Sequence, residues 1–174
     1  NKINQLSDWR YSGCIINPVN SDLTNEMLAC EPLYIINTHE ELVTDVRKGF
    51  NSFYNENRLR IYDDITNLPN NILGLVICIN QLEYMPLDAQ ADILRNVYNH
   101  IQPGGRLLIS YNDCNNRTCL EHTLEGIRSY STKELTLGKA FSIGFDIEQS
   151  NSTNNGMWNY AILNKPGKLH SIKT

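Results

Sequence analysis

Residues Leu73 to Tyr111 read LGLVICINQLEYMPLDAQADILRNVYNHIQPGGRLLISY, and this stretch decides the fold. Leu73 to Ile79 is the most apolar segment of the chain. It is short and flanked by polar residues, the pattern of a central strand covered on both faces. Leu87 to Ile101 follows, with Leu87, Ala91, Leu94, Val97, Tyr98 and Ile101 repeating at helical spacing. Pro103-Gly104-Gly105 is then expected to stop the helix and turn directly into a second strand, Arg106 to Tyr111. Strand, amphipathic helix and strand in succession make a βαβ unit, so the sheet is expected to be parallel.

The same alternation extends in both directions. Asn1 to Ser12 reads as a short helix or docking arm, and Cys14-Ile15-Ile16 as a strand closed by Asn17-Pro18. Asp22 is placed to cap a short helix, Leu23 to Cys30, and Leu33 to Ile36 is a buried strand. Thr38-His39-Glu40-Glu41 has the form of a capping box, opening a helix with Leu42, Val46, Phe50 and Phe53 on its apolar face. Leu59 to Tyr62 is a short strand ending in Asp63-Asp64. Beyond Tyr111, the polar stretch Asn112 to Ser129 holds at most one or two helical turns, over Leu120 to Ile127. Ser131-Thr132-Lys133-Glu134 forms a second capping box, whose helix stops near Gly144. Phe145 to Glu148 and Met157 to Leu163 are strands joined closely enough for a hairpin. The fold class is α/β: a Rossmann-like, doubly wound, mostly parallel seven-stranded sheet ending in an antiparallel hairpin, all in one domain over residues 1–174.

Composition narrows the function classes. With 15 Lys and Arg against 19 Asp and Glu, the chain carries a net charge of −4, and its basic residues are scattered. Such a chain lacks the footprint of a phosphate-backbone binder, so no nucleic-acid partner is expected. No apolar run approaches the roughly 20 residues of a membrane span, and no signal peptide is visible, so neither a membrane partner nor secretion is expected. The odd number of cysteines, Cys14, Cys30, Cys78, Cys114 and Cys119, points to a reducing compartment without disulfides. Cys114, Cys119 and His122 offer three ligands at C-x4-C-x2-H spacing. Without a second ligand pair they are not expected to hold a metal.

Three segments together resemble the class I S-adenosylmethionine-dependent methyltransferases. Leu73 to Pro86 is similar to that family's fourth strand and its "LEH-P" turn. Ile101 to Ser110 resembles its "L-K-PGG-x-L" entry into the fifth strand, and Gly144-Phe145-Asp146-Ile147 its "GF" entry into the hairpin. The family's first strand leads into a G-x-G-x-G loop, where glycine lets the backbone approach the cofactor and reach positive φ. Here that stretch is Ile16-Asn17-Pro18-Val19-Asn20-Ser21-Asp22, and no glycine falls between Gly13 and Gly49.

The resemblance implies a cofactor site at the positions of Asn17, Asn20, Asp22, Asn37, Asp64, Ile65, Cys78 and Asn80. Asn37 stands where the family has the acid that accepts from both ribose hydroxyls. Asp63-Asp64 resembles its adenine-contacting aspartate. Asn80, Glu83 and Tyr84 lie at the fourth-strand end, where a catalytic group would sit, and read as local capping and packing, so no catalytic residue is assigned. A degenerate domain without cofactor is the expectation, and an active enzyme on a small molecule or protein, using S-adenosylmethionine, is the alternative. Tyr111 to Cys114 and Asn164 to Leu169 further resemble methyltransferase-like domains carried by structural proteins of tailed bacteriophages. That resemblance implies other subunits or domains of a larger assembly as partners, in the cytoplasm or a virion. A chain that does not begin with Met fits a piece of a longer protein.

Overall fold

The computed structural model describes residues 2–171. In chain order the elements begin with α1 (Lys2–Leu6), β1 (Ser12–Ile16), α2 (Asp22–Met27), β2 (Leu33–Ile36), α3 (Glu40–Gly49), α4 (Asn51–Asn55) and β3 (Leu59–Tyr62). They continue with β4 (Leu73–Cys78), α5 (Leu87–His100), β5 (Ile101–Tyr111), α6 (Arg117–Leu124), α7 (Lys133–Ile143), β6 (Asp146–Thr153) and β7 (Trp158–Asn164). One seven-stranded sheet holds them in the order β3-β2-β1-β4-β5-β7-β6. The first five strands run parallel, and β7 lies antiparallel to both β5 and β6.

The two-residue period of the strands sorts the apolar side chains onto two faces. Cys14, Ile16, Tyr34, Ile36, Val76, Cys78, Leu107 and Ile109 share one face with Leu94 and Val97 of α5 and Leu137 and Ala140 of α7. Ile15, Leu33, Ile35, Leu75, Ile77 and Leu108 share the other with Met27 of α2 and Val46 of α3. Leu42, Phe50 and Phe53 pack on that second cluster, as the helical spacing predicts. Every residue of β1, β2 and β4 is buried, which only a sheet covered on both faces allows.

Several element boundaries differ from the sequence reading, each for a local reason. The Asn37 side-chain oxygen accepts from the His39 backbone N at 2.6 Å, so the helix begins one residue later than a Thr38 cap would start it, with His39 as N-cap. Asp22 lies inside α2 and does not cap it; Asn20 Oδ1 accepts from the Asp22 N at 3.0 Å. The Ser131 hydroxyl is drawn into a buried bond with Thr136 at 2.8 Å. The cap of α7 passes to Thr132, whose hydroxyl accepts from the Leu135 N at 3.2 Å. The polar stretch holds α6, three residues earlier than expected, because Asn116 Oδ1 accepts from the N of Thr118 and of Cys119.

Pro103-Gly104-Gly105 is not the helix stop. α5 ends at His100, Ile101 already pairs with Leu73, and the next pair is Arg106 with Leu75. The residues between form a bulge within β5, where Gly104 takes φ +81°. A Cβ there would come within 2.5 Å of the Leu169 backbone N. Gly104 N donates to the Lys165 carbonyl at 2.6 Å, binding the bulge to the segment after β7.

Lys165 completes this corner. Its Nζ donates to Asn71 Oδ1 and the Tyr98 carbonyl, both at 2.8 Å, and to the Ile101 carbonyl at 3.0 Å. All three donors of the ammonium are used, and two of them satisfy carbonyls left open at the end of α5. The ammonium also sits 4.4 Å from the centre of the Tyr98 ring. Partial burial lowers its pKa below the ordinary lysine value. Lys165→Met is therefore expected to destabilise the fold by about 2 kcal/mol, since the two carbonyls lose their partner. Urea unfolding checks this: the midpoint should fall while the slope stays unchanged.

Candidate functional site

Strand order reverses between β1 and β4: the chain leaves β1 towards β2 on one side and β4 towards β5 on the other. Loops that part in this way open a crevice at the carboxyl ends of the strands, the usual ligand position in open α/β sheets. Both flanking strands exit through an asparagine in the left-handed region, Asn17 at φ +44° after β1 and Asn80 at φ +57° after β4. Asparagine reaches that region more cheaply than other side-chain-bearing residues, so the turn after β1 keeps a positive φ without glycine.

The turn after β1 is tied across to the exit of β4. Gln81 Nε2 donates to the Asn17 carbonyl at 3.1 Å, and Asn17 Nδ2 approaches Gln81 Oε1 at 3.5 Å. The pair bridges the carboxyl ends of β1 and β4 across the switch point. Asn80 N donates to Ser110 Oγ at 2.7 Å, which fixes the β4 exit against β5.

Beside this bridge lies a cleft of ≈ 560 Å³. Asn17, Pro18 and Val19 line it from the first loop, Asn37 and His39 from the β2 exit, Glu41, Leu42 and Asp45 from α3, and Gln81 from the β4 exit. Asn37 is only 4% exposed. Its oxygen accepts from His39 N, and among the described residues its Nδ2 has no partner.

Of the positions named from the sequence, the structure brings Asn17 and Asn37 together at this cleft. Asn20 and Asp22 belong to the entry of α2. Asp64 is exposed, and its Oδ1 accepts from Thr66 N at 2.9 Å, a bond that lowers its pKa. Ile65 and Cys78 are buried in the core, and burial pushes the Cys78 thiol up to about 12. Glu83 is buried and Tyr84 exposed. Gln81 and Asp45 carry no role in the sequence reading, and Glu41 enters it only as a capping-box acid. Gln81 directly follows Asn80, and Glu41 and Asp45 share one helix face at i, i+4, the signals that could have found them.

The soft ligands of the second half are engaged elsewhere. Cys119 Sγ faces the Gly156 and Met157 carbonyls, and Cys114 Sγ faces Asn112 and Thr123. Among the described residues no three His, Cys, Asp or Glu side chains converge as metal ligands. No helix among them is long and apolar enough to cross a membrane.

Solved structures share this architecture. An S-adenosylmethionine-dependent methyltransferase from Mesorhizobium loti matches with a TM-score of 0.74 at 12% identity, over 94% of this chain and 95% of that one. The chain has the class I methyltransferase fold. The N-methyltransferase NodS from Bradyrhizobium japonicum also shares that fold, with a TM-score of 0.70 at 13% identity over 95% and 93% of the two chains. The pyocyanin biosynthetic protein PhzM matches at 0.72 and 14% identity, over 94% of this chain but 53% of its own length. This chain thus spans about half the length of several matching methyltransferase-fold proteins. No family model matches the sequence, and no curated protein does.

The left-handed turn after β1 supplies a test. Asn17→Ala is expected to cost about 1 kcal/mol, because alanine pays the full steric penalty of positive φ. Asn17→Gly should stay within ~0.5 kcal/mol of the parent in the same urea titration.

Proposed function

We propose that this chain is a methyltransferase-fold module that no longer binds S-adenosylmethionine and works through contacts with other subunits or domains of a larger assembly. The observation that carries this reading is the Asn17–Gln81 bridge. Through it Gln81 reaches across the gap between the β1 and β4 ends, which the family resemblance assigns to the cofactor, and donates to the Asn17 carbonyl. Asn37 adds to it. A carboxylate there would accept charge-assisted hydrogen bonds from ribose at two oxygens, whereas the amide is uncharged and its one oxygen already accepts from His39 N. The loss is on the order of 1–2 kcal/mol. The likeness of Tyr111 to Cys114 and of Asn164 to Leu169 to domains of phage structural proteins supports a virion as one such assembly. Function follows the site and not the fold, so the methyltransferase architecture alone assigns no reaction.

One observation favours the other reading, an active methyltransferase: Asn17 retains the positive φ, and the adjoining cleft has the volume of a small-molecule site. Isothermal titration calorimetry with S-adenosylmethionine and S-adenosylhomocysteine separates the two. No saturable heat is expected from either compound. Micromolar affinity for either would establish the cofactor site and sink the reading of a lost one.

A further inference from the structure

The cleft beside Asn37 has a chemistry of its own. Glu41 and Asp45 stand four residues apart on α3, so their carboxylates share one helix face along the cleft wall. No lysine or arginine lines that cleft. The carboxylates around the same sheet edge, Asp22, Glu40, Glu41, Asp45, Asp63 and Asp64, enter none of the ion pairs among the described residues. Those pairs use Asp8, Glu31, Asp92, Glu121 and Glu148. Arg47, on the same helix, lines a neighbouring groove with Glu40 and Asp63 and stacks over the Tyr54 ring.

Three further features say what would fill the cleft. Val19 is 72% exposed at its mouth, an apolar surface with nothing on it, and Leu42 faces it from α3. Asn37 lines the cleft as well, and among the described residues its Nδ2 has no partner, so a carbonyl oxygen there can accept from it. Two carboxylates at i, i+4 accept from a planar guanidinium better than from a compact ammonium, because its fork reaches both.

We propose that the cleft is a docking site for an arginine presented by an extended segment of a partner protein. The guanidinium lies between Glu41 and Asp45, its aliphatic stem covers Val19 and Leu42, and a backbone carbonyl of the partner accepts from Asn37 Nδ2. This inference rests on the reading that S-adenosylmethionine does not occupy the crevice. It adds to that reading the identity of the partner's anchoring group.

A ¹H–¹⁵N correlation titration tests it on the full chain, with N-acetyl-arginine methylamide as the probe. Saturable shifts are expected at the Asn37 side-chain amide and at the backbone amides of residues 17, 19 and 38–45. The neutral isostere N-acetyl-citrulline methylamide should bind roughly fivefold more weakly, as should arginine on the E41Q/D45N variant. The unchanged remainder of that variant's spectrum shows that it is folded. Equal titration by arginine and citrulline overturns the proposal, as do shifts spread over other acidic surfaces or an E41Q/D45N variant that binds as the parent does. A parallel titration with S-adenosylmethionine separates the two readings. If neither compound shifts these residues, arginine docking alone fails. If S-adenosylmethionine shifts them at micromolar affinity, the reading of a lost cofactor fails, and the docking proposal with it.

Discussion

Two adjacent strands, β1 and β4, are buried on both faces along their whole length, and the rest of the molecule follows from that constraint. A strand with no solvated side must satisfy its backbone groups in the ladder and bury its side chains under helices above and below. The four helices α1 to α4 cover one face, α5 and α7 the other, and the strand order reverses between β1 and β4. The crevice is a geometric by-product of that reversal. It exists whether or not a cofactor is there to use it.

The sheet was legible in the sequence because its signal is redundant. Leu73 to Cys78 and Leu33 to Ile36 are apolar without interruption, and α5 repeats its apolar positions over four turns. Single-residue events were not legible. Thr38 and Ser131 both look like helix caps in a four-residue window. Each loses the role because a side chain close by takes a hydrogen bond that the window does not show: Asn37 captures His39 N, and Thr136 captures the Ser131 hydroxyl. Pro103-Gly104-Gly105 resembles a helix stop because the same residues suit a helix end and a bulge. Only the pairing of Ile101 with Leu73 distinguishes them.

The candidate site was half legible for the same reason. A glycine-free loop and an amide in place of an acid are visible as residue types, and both lie at the cleft. Gln81, which donates to the Asn17 carbonyl, is 64 residues from Asn17 and becomes its neighbour only through the β1–β4 pairing. Asn17 shows why residue type alone is a weak guide. Its backbone reproduces the positive φ that glycine would take, and the carbonyl that Gln81 bonds belongs to that same backbone.

At the amino edge of the sheet, Leu6 and Tyr11 from the first segment and Leu169 from the last line one groove, with Gly74 and Arg106 between them. The two segments therefore reach the same side of the sheet, opposite the crevice.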